Sequence, residues 1–242
     1  MGRFESDGLS LAFEDEGVGY PLFLMHGFAA DSKSNWGLTG WIRALRRAGL
    51  NIDILPPDCA DLSAYKLVLA PGLMTLSDPL RAALARFEGI ALIGPRTDTK
   101  TAELSIPTPL GPDLPDTDIN VVLTESIPPS AKIKLHGGGT FRHWFEHLEG
   151  TAPVHLATKS GLPAIMGGDH IRYLAGWPDD ATFDAIIGGL CDALDLPSYT
   201  LPEGLRIRDT RTHRFVFNYA PKAQKWNGVK ISAAGVHWEP LT

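Results

Sequence analysis

Cysteine is scarce in this chain. Cys59 and Cys191 are the only two in 242 residues, far apart and in unlike surroundings, which leaves neither a disulfide framework nor a metal-ligand spacing. That usage fits a reducing compartment. Long hydrophobic runs are missing as well: none approaches the roughly 20 residues that span a bilayer, and residues 1–7 hold no basic stretch leading into an apolar core. A cytoplasmic chain with no membrane partner is therefore expected. Charge of one sign is not concentrated anywhere. Lys and Arg number 22 against 28 Asp and Glu, a net −6, whereas phosphate backbones are bound by clustered cations. Nucleic acid is accordingly not an expected partner. The densest basic stretch, Arg206, Arg208, Arg211 and Arg214, is interleaved with acidic and apolar residues and reads as a solvated strand face. No internal repeat is visible.

What is present suffices for a core. Hydrophobic residues make up 44% of the chain and charged ones 21%, close to globular averages. Alternation over residues 9–13 and the apolar run 21–26 read as a hairpin feeding a buried strand. Thr39 caps a helix through Arg47, with Gly49 as its stop. Residues 51–55 and 65–70 are strand candidates. Asp78-Pro79 opens a helix carrying Leu80, Ala83, Leu84 and Phe87 on one face, and 90–93 is a short continuous apolar strand. Residues 97–129 are rich in Pro, Asp and Thr and read as surface loops, apart from a strand at 119–123. Strands at 131–135, 153–157, 163–166 and 170–174 precede a helix from Asp180. After Pro197 alternation returns, with turns at Asn227-Gly228 and Gly235. The expected fold is α/β: a doubly wound, mainly parallel sheet of the flavodoxin or class I glutamine amidotransferase kind, with a small C-terminal antiparallel β unit. The expected division is an α/β domain over 1–197, within which 1–46 forms a lead and 47–197 the body, and a small β domain over 198–242.

Two stretches resemble known families. Phe4-Glu-Ser-Asp-Gly8, then Leu22-Phe-Leu-Met-His-Gly-Phe28 and Asn35-Trp36 through Trp41, resemble the opening of an α/β-hydrolase. That resemblance implies an oxyanion-type turn at His26, Gly27 and Phe28, where backbone amides stabilise charge on an acyl oxygen. The nucleophile of such an enzyme sits on Gly-x-Ser-x-Gly, and no serine here has glycines at both offsets. From about residue 41 onward the text is similar instead to the trimerisation domain of family 42 β-galactosidases. The phrases that carry this are Trp41-Ile-Arg-Ala-Leu-Arg-Arg-Ala-Gly-Leu-Asn-Ile-Asp-Ile54, Leu62-Ser-Ala-Tyr-Lys-Leu-Val-Leu-Ala-Pro-Gly-Leu73, Gly94-Pro-Arg-Thr97 with Lys100-Thr101, and Tyr173-Leu-Ala-Gly-Trp-Pro178. Residues 203–240, with Thr212-His-Arg-Phe-Val-Phe-Asn218, resemble the small β domain that ends those enzymes. Joined, the two resemblances imply a composite, as a recombined or constructed chimera would be.

Family 42 enzymes cleave β-galactosides with two glutamates on a (β/α)₈ barrel, which takes at least roughly 200 residues. About 40 residues precede the matching text. The resemblance thus implies a noncatalytic oligomerisation or scaffold portion that self-associates as a trimer and takes no cofactor. The alternative is a reduced serine hydrolase working through the turn at His26. Asp169 and His170, at a predicted strand junction, are the candidate polar pocket. Four other groups have plainer readings. Cys191 is a buried helix residue. His136-Gly-Gly-Gly139 is a glycine turn between strands. His143 and His147, with Glu146 between them, do not follow the His-Glu-x-x-His order of a zinc site. Most of the six tryptophans read as packing anchors.

Overall fold

A computed structural model describes residues 41–108 and 110–241 and, before them, the backbone of four short strands. Those four are β1 (Gly2–Ser6), β2 (Leu9–Phe13), β3 (Asp15–Glu16) and β4 (Leu22–Leu24). The chain continues through α1 (Trp41–Arg47), β5 (Ile52–Ile54), β6 (Leu67–Ala70), α2 (Asp78–Leu84) and β7 (Ile90–Ile93). Then come β8 (Asn120–Ser126), β9 (Ile133–Lys134), β10 (Thr140–Glu149), β11 (Val154–Ala157), β12 (Pro163–Gly167), β13 (Ile171–Leu174) and β14 (Gly176–Pro178). After α3 (Asp180–Ala193) the chain closes with β15 (Leu205–Asp209), β16 (His213–Asn218), β17 (Gln224–Trp226), β18 (Val229–Ile231) and β19 (Val236–Pro240).

The largest sheet has the order β11-β12-β13-β7-β6-β4-β5-β3. Its centre is formed by β6 and β7, whose eight residues are all buried. Uninterrupted Leu, Val, Ile and Ala are what a strand covered on both faces requires. β4 enters this sheet between β5 and β6, with Leu22 opposite both Ile52 and Leu67. The segment before residue 41 and the body after it therefore share one sheet.

Local chemistry sets the helix ends. Ser77 caps α2 by accepting from the Leu80 amide, and Pro stands in its first turn, where no amide is needed. Asp179 caps α3 by accepting from the Thr182 amide at 2.9 Å. On α3 the residues Phe183, Ile187, Leu190 and Cys191 are buried, spaced as one helical face. That face meets α1 through Trp41 and Phe183, whose ring centroids lie 4.1 Å apart. Arg43–Asp180 and Arg47–Asp184 ion pairs, at 2.6 and 2.8 Å, flank the contact in solvent.

The expected doubly wound, mainly parallel sheet is corrected by this arrangement. Of the fourteen strand pairings described, only β4–β5, β4–β6, β6–β7 and β7–β13 are parallel. Nineteen strands stand against three helices among the described residues. Helices α1 and α3 pack on each other, and the side of β13 that carries Tyr173 receives the β8-β10-β14 ribbon through Glu146. The molecule is a strand-dominated module in which α1 and α3 share one side. The misreading came from residues 97–163, where Pro- and Gly-punctuated text hides the ten-residue strand β10. Its register against β14 shifts between Arg142 and Phe145, where His143 stands at φ +67°, and that break interrupts the period-two signature of a strand.

Beyond residue 198 a second apolar cluster, Leu201, Leu205, Ile207, Val216 and Ile231, is separate from the main core. It lies under the three-stranded sheet β15-β16-β19 and the hairpin β17–β18. The hairpin turns at Asn227-Gly228, both with positive φ, as a tight two-residue turn demands. Asn218, 1% exposed, donates its amide hydrogens to the Lys222 and Ser232 carbonyls at 2.8 Å each, so this buried polar group is satisfied.

The helix pair supplies a clean contrast. Phe183→Ala should lower unfolding free energy by about 3–5 kcal/mol through lost burial and the cavity left beside Trp41. Arg43→Ala should change it by no more than about 0.5 kcal/mol, because its ion pair is exposed. Guanidinium unfolding monitored by tryptophan fluorescence measures both.

Candidate functional site at the end of the parallel strands

In open α/β sheets, ligands gather beyond the carboxyl ends of parallel strands, and here those ends carry the most polar part of the interior. The turn after β7 runs Gly94-Pro95-Arg96-Thr97-Asp98, with Arg96 at φ +68° and Asp98 at φ +57°. Gly94 permits a close approach: a Cβ there would sit 2.4 Å from the Pro71 Cα, in the turn after β6. Thr97, wholly buried, donates to the Gly94 carbonyl at 2.8 Å. Asp98 accepts from the Asp113 amide at 2.9 Å and from Arg81 of α2 at 3.2 Å.

Glu146 of β10 holds this turn from beneath. It is 0% exposed. Its Oε1 accepts from the Arg96 amide and from Trp144 Nε1, each at 2.9 Å, and its Oε2 accepts from the Tyr173 hydroxyl at 2.7 Å. Burial pushes the Glu146 carboxyl above its ordinary range, partly offset by hydrogen bonds from Tyr173, Trp144 and Arg96. Burial, followed by the adjacent Glu146 charge, raises the Tyr173 phenol well above its usual value. The Arg96 guanidinium lies over the Trp144 ring, 5.3 Å from its centroid. Three donors on two sealed oxygens leave Glu146 no route to a substrate. The arrangement is a lock, joining the turn after β7, strand β13 and strand β10 at one carboxylate.

The other candidates are scattered. The turn at His26, Gly27 and Phe28 lies outside the described residues. Asp169 and His170 are both exposed in the β12–β13 turn, where His170 Nδ1 is 3.0 Å from the Gly89 carbonyl oxygen. His136-Gly-Gly-Gly139 forms the turn between antiparallel β9 and β10, with all three glycines at positive φ. His143 is exposed at φ +67°, while His147 approaches Glu125 at 3.4 Å. Among the described residues no group of three or more His, Cys, Asp or Glu could hold a metal ion. Nor does any helix there have the length and apolarity to cross a membrane. Cys191 is buried, and burial pushes its thiol up to about 11. Glu146, Tyr173 and Arg96 were not singled out by the sequence as a set. The available signal was a glutamate between the apolar residues Phe145 and Leu148 in a segment with no helical period.

A strand-rich module in which the fully buried Glu146 is spent on holding segments together defines a structural class of domain. The residues 28–197 match the family model described as the beta-galactosidase trimerisation domain, and the chain belongs to that family. It is 35% identical over 199 residues to the β-galactosidase BgaA of a Thermus species, covering 78% of this chain and 31% of that protein. A β-galactosidase of Thermus thermophilus is 33% identical over 204 residues, again 78% of this chain and 31% of the relative. The crystal structure of β-galactosidase from the psychrophilic Marinomonas ef1 superposes with a TM-score of 0.80 at 25% identity, over 91% of this chain and 37% of that one. The chain thus spans about a third of the length of the curated relatives it matches, and corresponds to their trimerisation portion and not to a catalytic barrel. The family match begins at residue 28, inside the stretch that resembles a hydrolase opening.

Glu146 gives a pH dependence. Because its folded pKa is raised, the native state holds a proton that the unfolded chain has released, and stability falls as pH rises from about the ordinary glutamate value through the folded one. Glu146→Gln should abolish that fall, so the stability of the variant relative to the parent increases with pH; melting temperatures at several pH values check it. Glu146→Ala orphans three donors, the buried Tyr173 hydroxyl among them, and should cost about 3 kcal/mol at any pH.

Proposed function

We propose that this chain is the self-association module of a family 42 β-galactosidase-like protein, bringing three copies together and performing no glycoside chemistry itself. The observation that carries the reading is the match of residues 28–197 to a trimerisation domain. Surface chemistry supports it. β8 is the edge of its sheet, and its adjacent residues Val122 and Leu123 are each 52% exposed. Val122 is the extra residue where the register against β10 shifts, since Leu123 faces His147 and Val121 faces Leu148, so two adjacent apolar side chains lie uncovered on a strand at the edge of its sheet. An edge of that kind is satisfied by another chain. Leu104, Ile106 and Leu110, in the preceding loop, are also exposed.

In this reading residues 1–197 form the associating body and 198–242 a separate β unit, supported by the two distinct apolar clusters. Glycoside cleavage needs two carboxyl groups flanking the scissile bond, and Glu146, the carboxylate most deeply committed to the fold, has both oxygens occupied.

Sedimentation velocity on the 242-residue chain should show a three-chain species, and Val122→Lys with Leu123→Lys should shift it toward monomer while leaving the circular dichroism spectrum unchanged. A monomer at every concentration would remove the self-association reading. Turnover of a chromogenic β-galactoside by the chain alone would remove the noncatalytic one.

A further inference from the structure

Between α3 and the flank of the large sheet lies a cavity of about 500 Å³ that the trimerisation role does not use. Arg172 of β13 lines it, on the opposite side of its strand from Tyr173 and therefore away from the Glu146 lock. Its Nε is buried without a hydrogen-bond partner, an unusual state for a group that donates wherever it is desolvated. His136 and His155 also line the cavity, and no aspartate or glutamate does. His155 Nε2 lies 3.0 Å from the Gly167 carbonyl oxygen, which fixes its ring at the wall. Gly137 and Gly138, at φ +76° and +104°, have nothing within 4 Å of where a Cβ would stand, so the turn between β9 and β10 leaves open space on its side. The remaining wall is apolar, with Ile186 and Leu190 of α3 among its members.

A guanidinium with one unpaired nitrogen, whose charge Asp169 partly balances from outside the lining, two imidazoles and a wall free of carboxylates form a pocket complementary to negative charge. We propose that this cavity is a binding site for a small oxyanion, a phosphate or a carboxylate, held by the Arg172 guanidinium and flanked by His136 and His155. Arg is suited to this because its planar donors match two oxygens of such a group at once. Burial without a partner destabilises the empty site, and an anion relieves that cost.

Inorganic phosphate is the probe, added to the full chain at constant ionic strength against chloride. The melting temperature should rise with phosphate, by roughly 5 °C at a hundredfold excess over Kd, and calorimetric titration should give one site per chain. Arg172→Met should remove both responses. Gly189→Leu is an independent test: Gly189 lines the cavity on α3, a Cβ there meets nothing within 4 Å, and leucine is the better helix former. This variant should fold and yet lose the phosphate response, because its side chain fills the space. An equal rise in both variants would mean that phosphate acts only as an excluded salt, and would overturn the proposal. So would the absence of any rise in the parent chain. If Arg172→Met changes the sedimentation of the chain while the parent shows no phosphate response, the cavity belongs to contacts between copies, and the oxyanion site is refuted.

Discussion

One buried carboxylate organises this module. Glu146 stands on a strand of the antiparallel ribbon, yet its three hydrogen bonds come from the turn after β7, from its own strand, and from β13. An ionisable group can remain in an apolar interior only if its oxygens are occupied, so these three segments must meet wherever Glu146 is buried. The positive φ of Arg96 follows from the same requirement, since that turn must aim its amide inward at Oε1. Breaking the lock would free the ribbon from the parallel strands and expose their ends.

The rest of the architecture divides the work between shape and surface. Covered strands β6 and β7 supply the buried interior, and the α1–α3 pair closes one side through Trp41 and Phe183. On the other side, the ribbon leaves β8 as an exposed edge. A domain whose task is to hold copies together has to leave some apolar surface uncovered in the single chain, because the partner supplies the cover. The catalytic requirement is the reverse: reactive groups must stay accessible and unsatisfied until substrate arrives. Glu146 meets neither condition, whereas Arg172 keeps one guanidinium nitrogen unsatisfied at the wall of a cavity.

Signals that act over a few residues were readable directly. Asp78-Pro79 opens α2 and Asp180 opens α3, Asn227-Gly228 turns its hairpin, and the apolar runs at Leu67–Ala70 and Ile90–Ile93 are central strands. The resemblance over residues 41–242 pointed to the trimerisation domain, which the family match confirms over 28–197. The sheet type did not follow, because parallel and antiparallel pairings use the same residues. A strand interrupted at His143, as β10 is, carries neither the helical nor the strand period.

Composition and spacing by themselves thus determined the core strands, the helix ends, the tight turns and the lack of a disulfide framework, since each depends on neighbours close in the chain. Only the tertiary structure decided that Glu146 meets Arg96 and Tyr173, 50 and 27 residues away, that Arg172 and Tyr173 face different surroundings, and that most pairings are antiparallel. The physical reason is that a charge's role is set by what surrounds it in space, and packing, not sequence order, chooses those neighbours.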